Sequence, residues 1–334
     1  TASGDGRLTR RKPVGEGNFL AMRLDWIIPR GFTAKDSRVI STVTADIDFA
    51  KEGGALARFA EPELSDHNVV WPLCNYINKG GAALINTVLF DMGGTLEDIW
   101  YNDQTIQDVT RKLLTFLQEH DMVTGSNEIC FWNKINNGIR RYKQWSEGNA
   151  LELKPEEIWP QYYLSEFDLD KEKVARYAED MAGLWEVTYY HRELRPGVKE
   201  ALEELKNKGY RLGVISNTAS LYSVFDVLEA YGIRDYFEDV TLSSVTGYRK
   251  PHPGIFQIAL REMKAKAEEC AYVGDTLSRD VIGAKRMHFG AAIQIRSFLS
   301  SQKDEGVDSV WQPDHVVEKI ADIVPYLEKL NGRA

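Results

Sequence analysis

The fold of this chain is decided by residues 84–96, LINTVLFDMGGTL. Residues 84–91 form a short apolar run that is rich in β-branched side chains, which predicts a buried strand. Asp91 stands where this strand ends, on a tight turn that contains Gly93 and Gly94. A carboxylate in that position can act as a nucleophile toward phosphorus or carbon, and the glycines let backbone N–H groups approach a phosphoryl oxygen closely.

After this turn the chain alternates between predicted helices and predicted strands. Further strands are predicted at 210–215, 238–243, 270–274 and 291–295, with helices at 104–119, 196–209, 253–264, 279–288 and from a cap at Ser216-Asn217-Thr218 to about Ala230. This alternation predicts an α/β fold with a Rossmann-like, doubly wound parallel sheet. Residues 99–192 are almost wholly helical in pattern and hold five of the eight tryptophans, so we expect an inserted, all-helical cap there.

Polar side chains follow the predicted strands, at the edge where parallel sheets form their sites. Ser216 and Asn217 follow one strand, and their hydroxyl and amide can hold a phosphoryl oxygen. Lys250 comes after the next strand, where a fixed ammonium would offset phosphate charge. Asp275 and Asp280 follow the strand at 270–274, and two acids at this spacing suit a Mg²⁺ ion that keeps several waters. The structural alternatives are a helix N-cap for Ser216 with Asn217 and a solvated position for Lys250.

In this order the four elements resemble the motifs of the haloacid dehalogenase superfamily, and the resemblance covers about residues 84–334. The matching positions are Asp91 for the first motif, Ser216 for the second, Lys250 for the third, and Asp275 with Asp280 for the fourth. The resemblance implies a core domain formed by residues 84–98 and 193–334. The helical stretch 99–192 between them is similar to the C1 type of cap.

The resemblance implies a Mg²⁺-dependent hydrolase of small phosphomonoesters that works through an aspartyl-phosphate intermediate. In that scheme Asp91 attacks phosphorus, while Ser216 and Lys250 steady the transferring group. The implied phosphate-binding residues are Met92, Gly93, Ser216, Asn217 and Lys250. The implied metal-binding residues are Asp91, Gly93 through its carbonyl, Asp275 and, in the outer shell, Asp280. Closure of the cap would exclude water and supply contacts to the substrate.

The chain departs from the family pattern at Gly93. The family's phosphatases usually carry a second Asp at this position as general acid and base, and such help is worth about 10²–10⁴-fold in rate. We therefore expect a slow or leaving-group-selective phosphatase. Two alternatives stay open: a 2-haloacid dehalogenase-type hydrolase that needs no metal, and a non-catalytic binding module for Mg²⁺ or a phosphorylated ligand. The pair Asp275 and Asp280 favours phosphate chemistry, because dehalogenases do not need a metal-binding acidic pair.

A short stretch near the start of the chain resembles a second family. The sequence RLDWI at 23–27 and the turn Ser65-Asp66-His67 are similar to the last two motifs of the endonuclease/exonuclease/phosphatase family, whose fold is a four-layer sandwich. The resemblance covers about residues 20–77. It implies His67 as a phosphate-contacting residue, Asp25 as its orienting partner and Asp66 as an acid on the metal side.

The family's earlier motifs have no counterpart before residue 20, where too few residues remain to build them. A few strands without a partner sheet cannot bury a proper core. We therefore expect residues 1–80, which end at the turn-rich Asn78-Lys79-Gly80-Gly81, to be a partial, β-rich and non-catalytic segment.

Composition limits the class of partner and the compartment. The 334 residues carry a net charge of -9, which argues against a nucleic-acid coat, because such proteins need a basic field. No apolar run is long enough to span a membrane. The widely spaced Cys74, Cys130 and Cys270 match no zinc or CxxC pattern and indicate a reducing compartment, so we expect a cytoplasmic protein. The expected partner is a small phosphorylated metabolite.

Overall fold

The computed structural model describes residues 8–13, 19–24, 83–122, 124–297, 300, 304, 307 and 310–333. The chain divides into two units, residues 1–79 and residues 80–334. In the first unit, strands β1 (Leu8–Pro13) and β2 (Phe19–Leu24) pair antiparallel, in agreement with the predicted β-rich character. The three candidate residues of this unit lie outside the described residues; they are Asp25, Asp66 and His67.

The second unit is built on a parallel sheet of six strands. In chain order the strands of the sheet are β3 (Thr87–Phe90), β6 (Arg211–Ser216), β7 (Asp239–Leu242), β8 (Cys270–Gly274), β9 (Ala291–Ile295) and β10 (His315–Val317). Strands β4 (Glu97–Trp100) and β5 (His191–Leu194) form a separate antiparallel pair. The sheet order is β10-β9-β8-β3-β6-β7, and all neighbouring strands are parallel. The chain therefore runs outward from β3 in both directions, which confirms the predicted doubly wound α/β arrangement.

Strand β3 lies at the centre of this sheet and is buried on both faces. Val88 and Phe90 belong to the apolar cluster on one face, and Leu89 belongs to the cluster on the other. Helices cover both faces, so a residue on either side of the strand must be apolar. This explains why the strand reads as a continuous apolar run rather than as an alternating one.

The helices of the described residues separate into two groups. Those between β4 and β5 are α1 (Asp103–Glu119), α2 (Glu128–Asn149), α3 (Pro155–Ile158), which continues as a π-helical turn (Trp159–Tyr163), α4 (Lys171–Arg176) and α5 (Ala178–Tyr189). Those that follow β5 are α6 (Val198–Asn207), α7 (Ser223–Ala230), α8 (Ser243–Thr246), α9 (Pro253–Glu262), α10 (Ile282–Arg286), which extends a π-helical turn (Leu277–Val281), and α11 (Ile323–Leu330). Within the described residues, no helix is both long and apolar enough to cross a membrane.

Residues 103–189, here called the helical insert, have a core of their own. The antiparallel strands β4 and β5 form the two connections to the rest of the unit. Helix α1 begins after Asn102, whose side chain accepts a hydrogen bond from the backbone N–H of Thr105 at 3.0 Å. Its buried residues Val109, Leu113 and Leu117 recur at helical spacing and pack into the insert core.

Most predicted elements are confirmed within a few residues, and three differ. The helix predicted to start from a cap at Ser216-Asn217-Thr218 begins only at Ser223, because the intervening residues form a loop that bonds to neighbouring segments. The helix predicted at 279–288 starts as a π-helical turn at Leu277. The end of the stretch expected to be helical, His191–Leu194, is a strand that pairs with β4.

Candidate active site

The carboxyl ends of β3, β6 and β8 meet at one edge of the sheet. Phe90 of β3 stands opposite Val273 of β8, so the residues that follow the two strands lie close together. The backbone N–H of Asp91 donates to the carbonyl of Val273 at 2.8 Å. This register brings Asp91, Ser216 and Asp275 to one cavity.

Lys250 connects Asp91 with the acidic pair. Its Nζ lies 2.7 Å from Asp91 Oδ1 and 2.7 Å from Asp280 Oδ1, and its side chain is 1% exposed. Burial alone disfavours the charged ammonium, but Asp280 and Asp91 outweigh this effect and raise the pKa of Lys250. Lys250 is therefore a fixed cation between two carboxylates, and its alternative interpretation as a solvated lysine is wrong.

Asp280 is surrounded by hydrogen-bond donors. Its Oδ1 accepts from the hydroxyl of Tyr272 at 3.1 Å, and its Oδ2 accepts from the backbone N–H and the hydroxyl of Thr276 at 3.0 and 2.6 Å. Burial raises the pKa of this carboxyl, yet Lys250 and the hydrogen bonds prevail, so the pKa of Asp280 is lowered. Both oxygens thus face protein donors, a geometry that fits an outer-shell place beside a metal.

Asp275 lies against the turn that carries Asp91. The hydroxyl of Ser297 donates to Asp275 Oδ2 at 2.5 Å, and the side-chain amide of Gln294 donates to the Asp275 carbonyl at 2.9 Å. Gly94 has a φ of +85°, and a Cβ at this position would lie 2.3 Å from Asp275 Oδ2. Both the backbone conformation and the close approach therefore require glycine at position 94.

The three aspartates form a compact acidic cluster. One carboxylate oxygen each from Asp91, Asp275 and Asp280 lies within 4.8 Å of the others, and all three residues are buried. Buried carboxylates this close repel one another unless cations compensate them, and Lys250 compensates only part of their charge. The cluster is therefore suited to a hard divalent cation.

Gly93 brings no side chain to the cavity. A Cβ there would lie 2.9 Å from Ile99 Cδ1 and 3.7 Å from Glu97 Oε1, so strand β4 fills the adjacent space. The Glu97 carboxylate is buried, forms an ion pair with Arg192 and accepts from the hydroxyl of Tyr231 at 3.0 Å. Burial is the dominant influence on this group and raises the pKa of Glu97.

Asn217 supports the position of Lys250. Its side-chain Oδ1 accepts from the Lys250 backbone N–H at 2.8 Å, and its Nδ2 donates to the Lys250 carbonyl at 3.2 Å. This two-point contact fixes the loop backbone from which the lysine extends. The alternative interpretation of Ser216 and Asn217 as a helix N-cap is wrong, because α7 starts at Ser223.

A cavity of about 810 Å³ extends from these residues into the helical insert. At the sheet edge it is lined by Asp91, Met92, Gly93, Ser216, Asn217, Lys250 and Asp275. At the insert and the two residues that flank it, Tyr101 and Tyr190, it is lined by seven aromatic residues in all; the other five are Tyr142, Trp159, Tyr163, Trp185 and Tyr189. The cavity therefore has a charged end on the core and an aromatic end on the insert.

Three arginines also line the cavity, and each of them has an acidic partner. Arg192 forms ion pairs with Glu97 and Glu186. Arg249 forms an ion pair with Glu152, and Arg279 forms one with Glu147 at 2.7 Å. The guanidinium charges around the cavity are therefore compensated inside the protein.

Two carboxylates of the insert bind loops of the core. Glu152 is buried and contacts Arg249, which directly precedes Lys250, and also accepts from the hydroxyl of Ser243 at 2.8 Å. Glu179 accepts from the hydroxyl of Ser220 at 2.6 Å and from the backbone N–H of the following residue at 2.9 Å. These contacts connect the insert to the loops that follow β6 and β7.

Several of these contacts have no pattern in the sequence that predicts them. Tyr272 is a polar residue in an otherwise apolar strand, and its place between Lys250 and Asp280 follows only from the register of β8. Glu152 and Glu179 have no sequence pattern that distinguishes them from the other acidic residues of the same segment. Pairing across two folded layers gives them their role.

Comparison with a protein-family model gives a match within the second unit. Residues 85–288 match the family model of haloacid dehalogenase-like hydrolases. Over 238 residues the chain is 29% identical to a phosphoglycolate phosphatase of Nitrosococcus oceani, covering 71% of this chain and 93% of the relative. It is 34% identical over 128 residues to a glyceraldehyde 3-phosphate phosphatase of Methanothermobacter thermautotrophicus, covering 38% of this chain and 56% of the relative.

A solved structure extends the comparison to the fold. The crystal structure of a 2-haloacid dehalogenase from Pseudomonas syringae pv. Tomato superimposes with a TM-score of 0.54 at 21% identity. The match covers 74% of this chain and 99% of that protein. At this identity the likeness concerns the arrangement of the helices and strands.

Proposed function

Because the chain belongs to the haloacid dehalogenase-like hydrolases, we propose that it is a Mg²⁺-dependent phosphatase of small phosphomonoesters with Asp91 as nucleophile. The observation that carries this proposal is the buried set in which Lys250 lies 2.7 Å from both Asp91 and Asp280, inside a cluster of three aspartates. The match to the phosphoglycolate phosphatase covers 93% of that relative, and the relative's name supports phosphate ester hydrolysis for this chain.

The donor set of the acidic cluster fits Mg²⁺. This ion prefers hard oxygen ligands, commonly one or two carboxylates completed by water and substrate oxygens. Asp91 and Asp275 would supply the carboxylates and Gly93 its carbonyl, while Asp280 would stay in the outer shell beside Lys250. When bound there, the ion would offset charge on the transferring phosphoryl group.

In the proposed reaction Asp91 attacks the phosphorus atom as the bond from phosphorus to the leaving oxygen breaks. The Met92 backbone N–H and Lys250 both contact Asp91 Oδ1 at 2.7 Å, which holds the carboxylate in one orientation before attack. Ser216 and the backbone of the turn at Gly93 would bind the equatorial phosphoryl oxygens. A water molecule then attacks the phosphorus of the aspartyl-phosphate, which releases phosphate and restores Asp91.

We also propose that the helical insert acts as a cap over this site. The contacts of Glu152 with Arg249 and of Glu179 with the loop at Ser220 hold the insert against the core. In this position the insert shields the cavity from bulk water and supplies its aromatic end. The expected location in a reducing compartment remains a prediction from the cysteine pattern.

The proposal is tested by phosphate release from a panel of phosphomonoesters, with Mg²⁺ or with a chelator, for the wild type and for Asp91→Asn. We expect release that requires Mg²⁺ and is lost in the variant. Halide release from 2-haloacids without Mg²⁺ would instead identify a dehalogenase. Binding of Mg²⁺ without turnover of any compound would identify a binding module, and either result would reject the proposed phosphatase.

A further inference from the structure

The aromatic end of the cavity is a set of stacked rings. Tyr189 stacks on Trp185 with ring centroids 4.6 Å apart and on Tyr101 at 5.0 Å, with interplanar angles of 14° and 25°. Tyr190 meets Tyr189 edge to face at 4.9 Å. Tyr101, Tyr189 and Tyr190 are only half-buried and line the cavity, so parts of these rings are available to a ligand. A flat ring would extend such a stack favourably.

The charge at this end argues for a leaving group without an anionic substituent. Arg192, Arg249 and Arg279 each contact a carboxylate of the protein. Their guanidinium groups are thus compensated, and Lys143, which also lines the cavity, is exposed. A carboxylate on the leaving group would have to compete with these ion pairs, whereas a neutral ring would not.

The residues that could donate a proton to the leaving oxygen also limit which substrates suit the cavity. Among the described residues, two carboxylates line the insert end of the cavity: Glu186 faces Arg192 and Glu147 faces Arg279, so both are engaged by cations. Gly93 has no side chain. Burial raises the pKa of Tyr190 to about 12, outside the range near neutral pH in which a general acid is most effective. A leaving group that needs no protonation suits this site best.

These observations converge on one substrate class, and we propose that the cavity accepts aryl phosphomonoesters, with the aryl ring against Tyr189 and the phosphate at Asp91. This inference rests on the proposed phosphatase function. An alcohol leaves as a strongly basic alkoxide unless an acid protonates it, but a phenol has a pKa of about 10 and leaves more readily as the anion. The bond from phosphorus to the aryl oxygen breaks with its electron pair on that oxygen, and the phenolate then takes a proton from water.

A matched set of esters separates the ring from the leaving group. Phenyl phosphate has an aromatic ring and a phenol leaving group. Benzyl phosphate has an aromatic ring and an alkyl leaving group, and cyclohexylmethyl phosphate has the alkyl leaving group with a saturated ring. We expect kcat/KM for phenyl phosphate to exceed that for benzyl phosphate by about 10²-fold or more, because an alcohol needs help from a general acid to leave and a phenol needs much less. Benzyl phosphate should exceed cyclohexylmethyl phosphate by about two- to tenfold, the size of one ring pair. Equal values for all three esters, or faster release from phosphoglycolate, would overturn the inference.

Variants of two tyrosines test where the ring binds. Tyr189→Leu should raise KM for phenyl phosphate by about two- to tenfold and leave KM for cyclohexylmethyl phosphate unchanged. Tyr177→Leu is the matched control, because Tyr177 is also half-buried in the insert and contacts His120 at 4.2 Å but does not line the cavity. The same shift in both variants would reject Tyr189 as the ring contact.

A binding measurement distinguishes failure of this inference from failure of the proposed function. Dissociation constants of phenyl phosphate and cyclohexylmethyl phosphate are measured on Asp91→Asn in the presence of Mg²⁺. Tighter binding of the aromatic ester supports the ring site even if the wild type releases phosphate from no ester, a result that would reject only the phosphatase. Equal affinities would reject the ring site, whatever the activity of the wild type.

Discussion

The two ends of the cavity are built in different ways. At the core end, side chains that follow parallel strands interact through charge and hydrogen bonds, with Lys250 in contact with Asp91 and Asp280 at 2.7 Å each. At the insert end, rings from Tyr101, Tyr189 and their neighbours stack on one another. We therefore propose separate roles for the two ends: the sheet edge carries out the chemistry, and the insert selects the leaving group.

The two ends also respond differently to the loss of one side chain. Removing a charged partner at the core end leaves another charge buried without compensation, which costs several kcal/mol. Removing one ring at the insert end loses packing that neighbouring rings partly replace. Variants at the core end should therefore affect all substrates, and variants at the insert end should distinguish between them.

The largest effect is expected from Asp91→Asn. An amide is a poor nucleophile, so phosphate release should fall by about 10⁴-fold or more for every ester, as is typical when a nucleophile is removed. The measurement is kcat at saturating substrate and Mg²⁺. Asp235→Asn makes the same change at an exposed aspartate of the core outside the cavity and should retain full activity. Substantial turnover by Asp91→Asn would contradict the role proposed for the core end, because Asp91 would then not be the nucleophile.

Lys250→Met should combine a loss of rate with a loss of stability. The variant keeps the length of the side chain but leaves Asp91 and Asp280 without their shared cation. We expect kcat to fall by about 10²-fold or more, as when one electrostatic contact of a transition state is removed. The free energy of unfolding should fall by about 3 kcal/mol, measured by urea denaturation without Mg²⁺. Lys206→Met, at an exposed position of α6, is the control, and equal stability of the two variants would contradict the proposed role of Lys250.

The core end could be predicted from the sequence because strand ends are local features. The apolar run before Asp91 and the strand CAYVG before Asp275 each predict where a strand stops, and parallel strands bring their ends together. The contact between Lys250 and Tyr272 could not be predicted in the same way. It depends on which face of β8 the tyrosine occupies and on a loop held by Asn217.

The insert end could be predicted only in outline. The helix predicted at 104–119 is confirmed as α1, and its apolar residues Val109 and Leu113, at helical spacing, are buried. Which aromatic residues stay partly exposed depends on how the helices of the insert pack, and no local pattern distinguishes Trp159, which is buried, from Tyr189, which is half-buried. The acidic residues that contact the core were equally indistinguishable from solvated ones.

The connection between the two ends is tested by Glu152→Gln. The variant keeps the shape of the side chain but removes the charge that compensates Arg249. Because this pair is buried, the free energy of unfolding should fall by about 2–3 kcal/mol, and kcat should fall for all esters as the loop before Lys250 shifts. Glu156→Gln is the control, since its ion pair with Lys154 is exposed and 4.0 Å long, and such pairs contribute about 0–1 kcal/mol. A change in substrate preference without a change in kcat would instead assign Glu152 to the insert end.

The smallest effect is expected at His252, close to Lys250 in the chain. Its Nδ1 accepts from the backbone N–H of Gly254 at 3.0 Å and caps helix α9, which requires the neutral imidazole. Burial lowers the pKa of His252, so its contribution to stability is complete above the unfolded value of about 6.5 and is lost as the pH falls through the folded value. His252→Asn supplies a cap that does not titrate. Between pH 7.5 and 5 the wild type should therefore lose about 1 kcal/mol more unfolding free energy than this variant. Parallel curves of unfolding free energy against pH for the wild type and His252→Asn would show that stability does not depend on protonation of this cap. The control is His191→Asn, at an exposed position, which should follow the wild type.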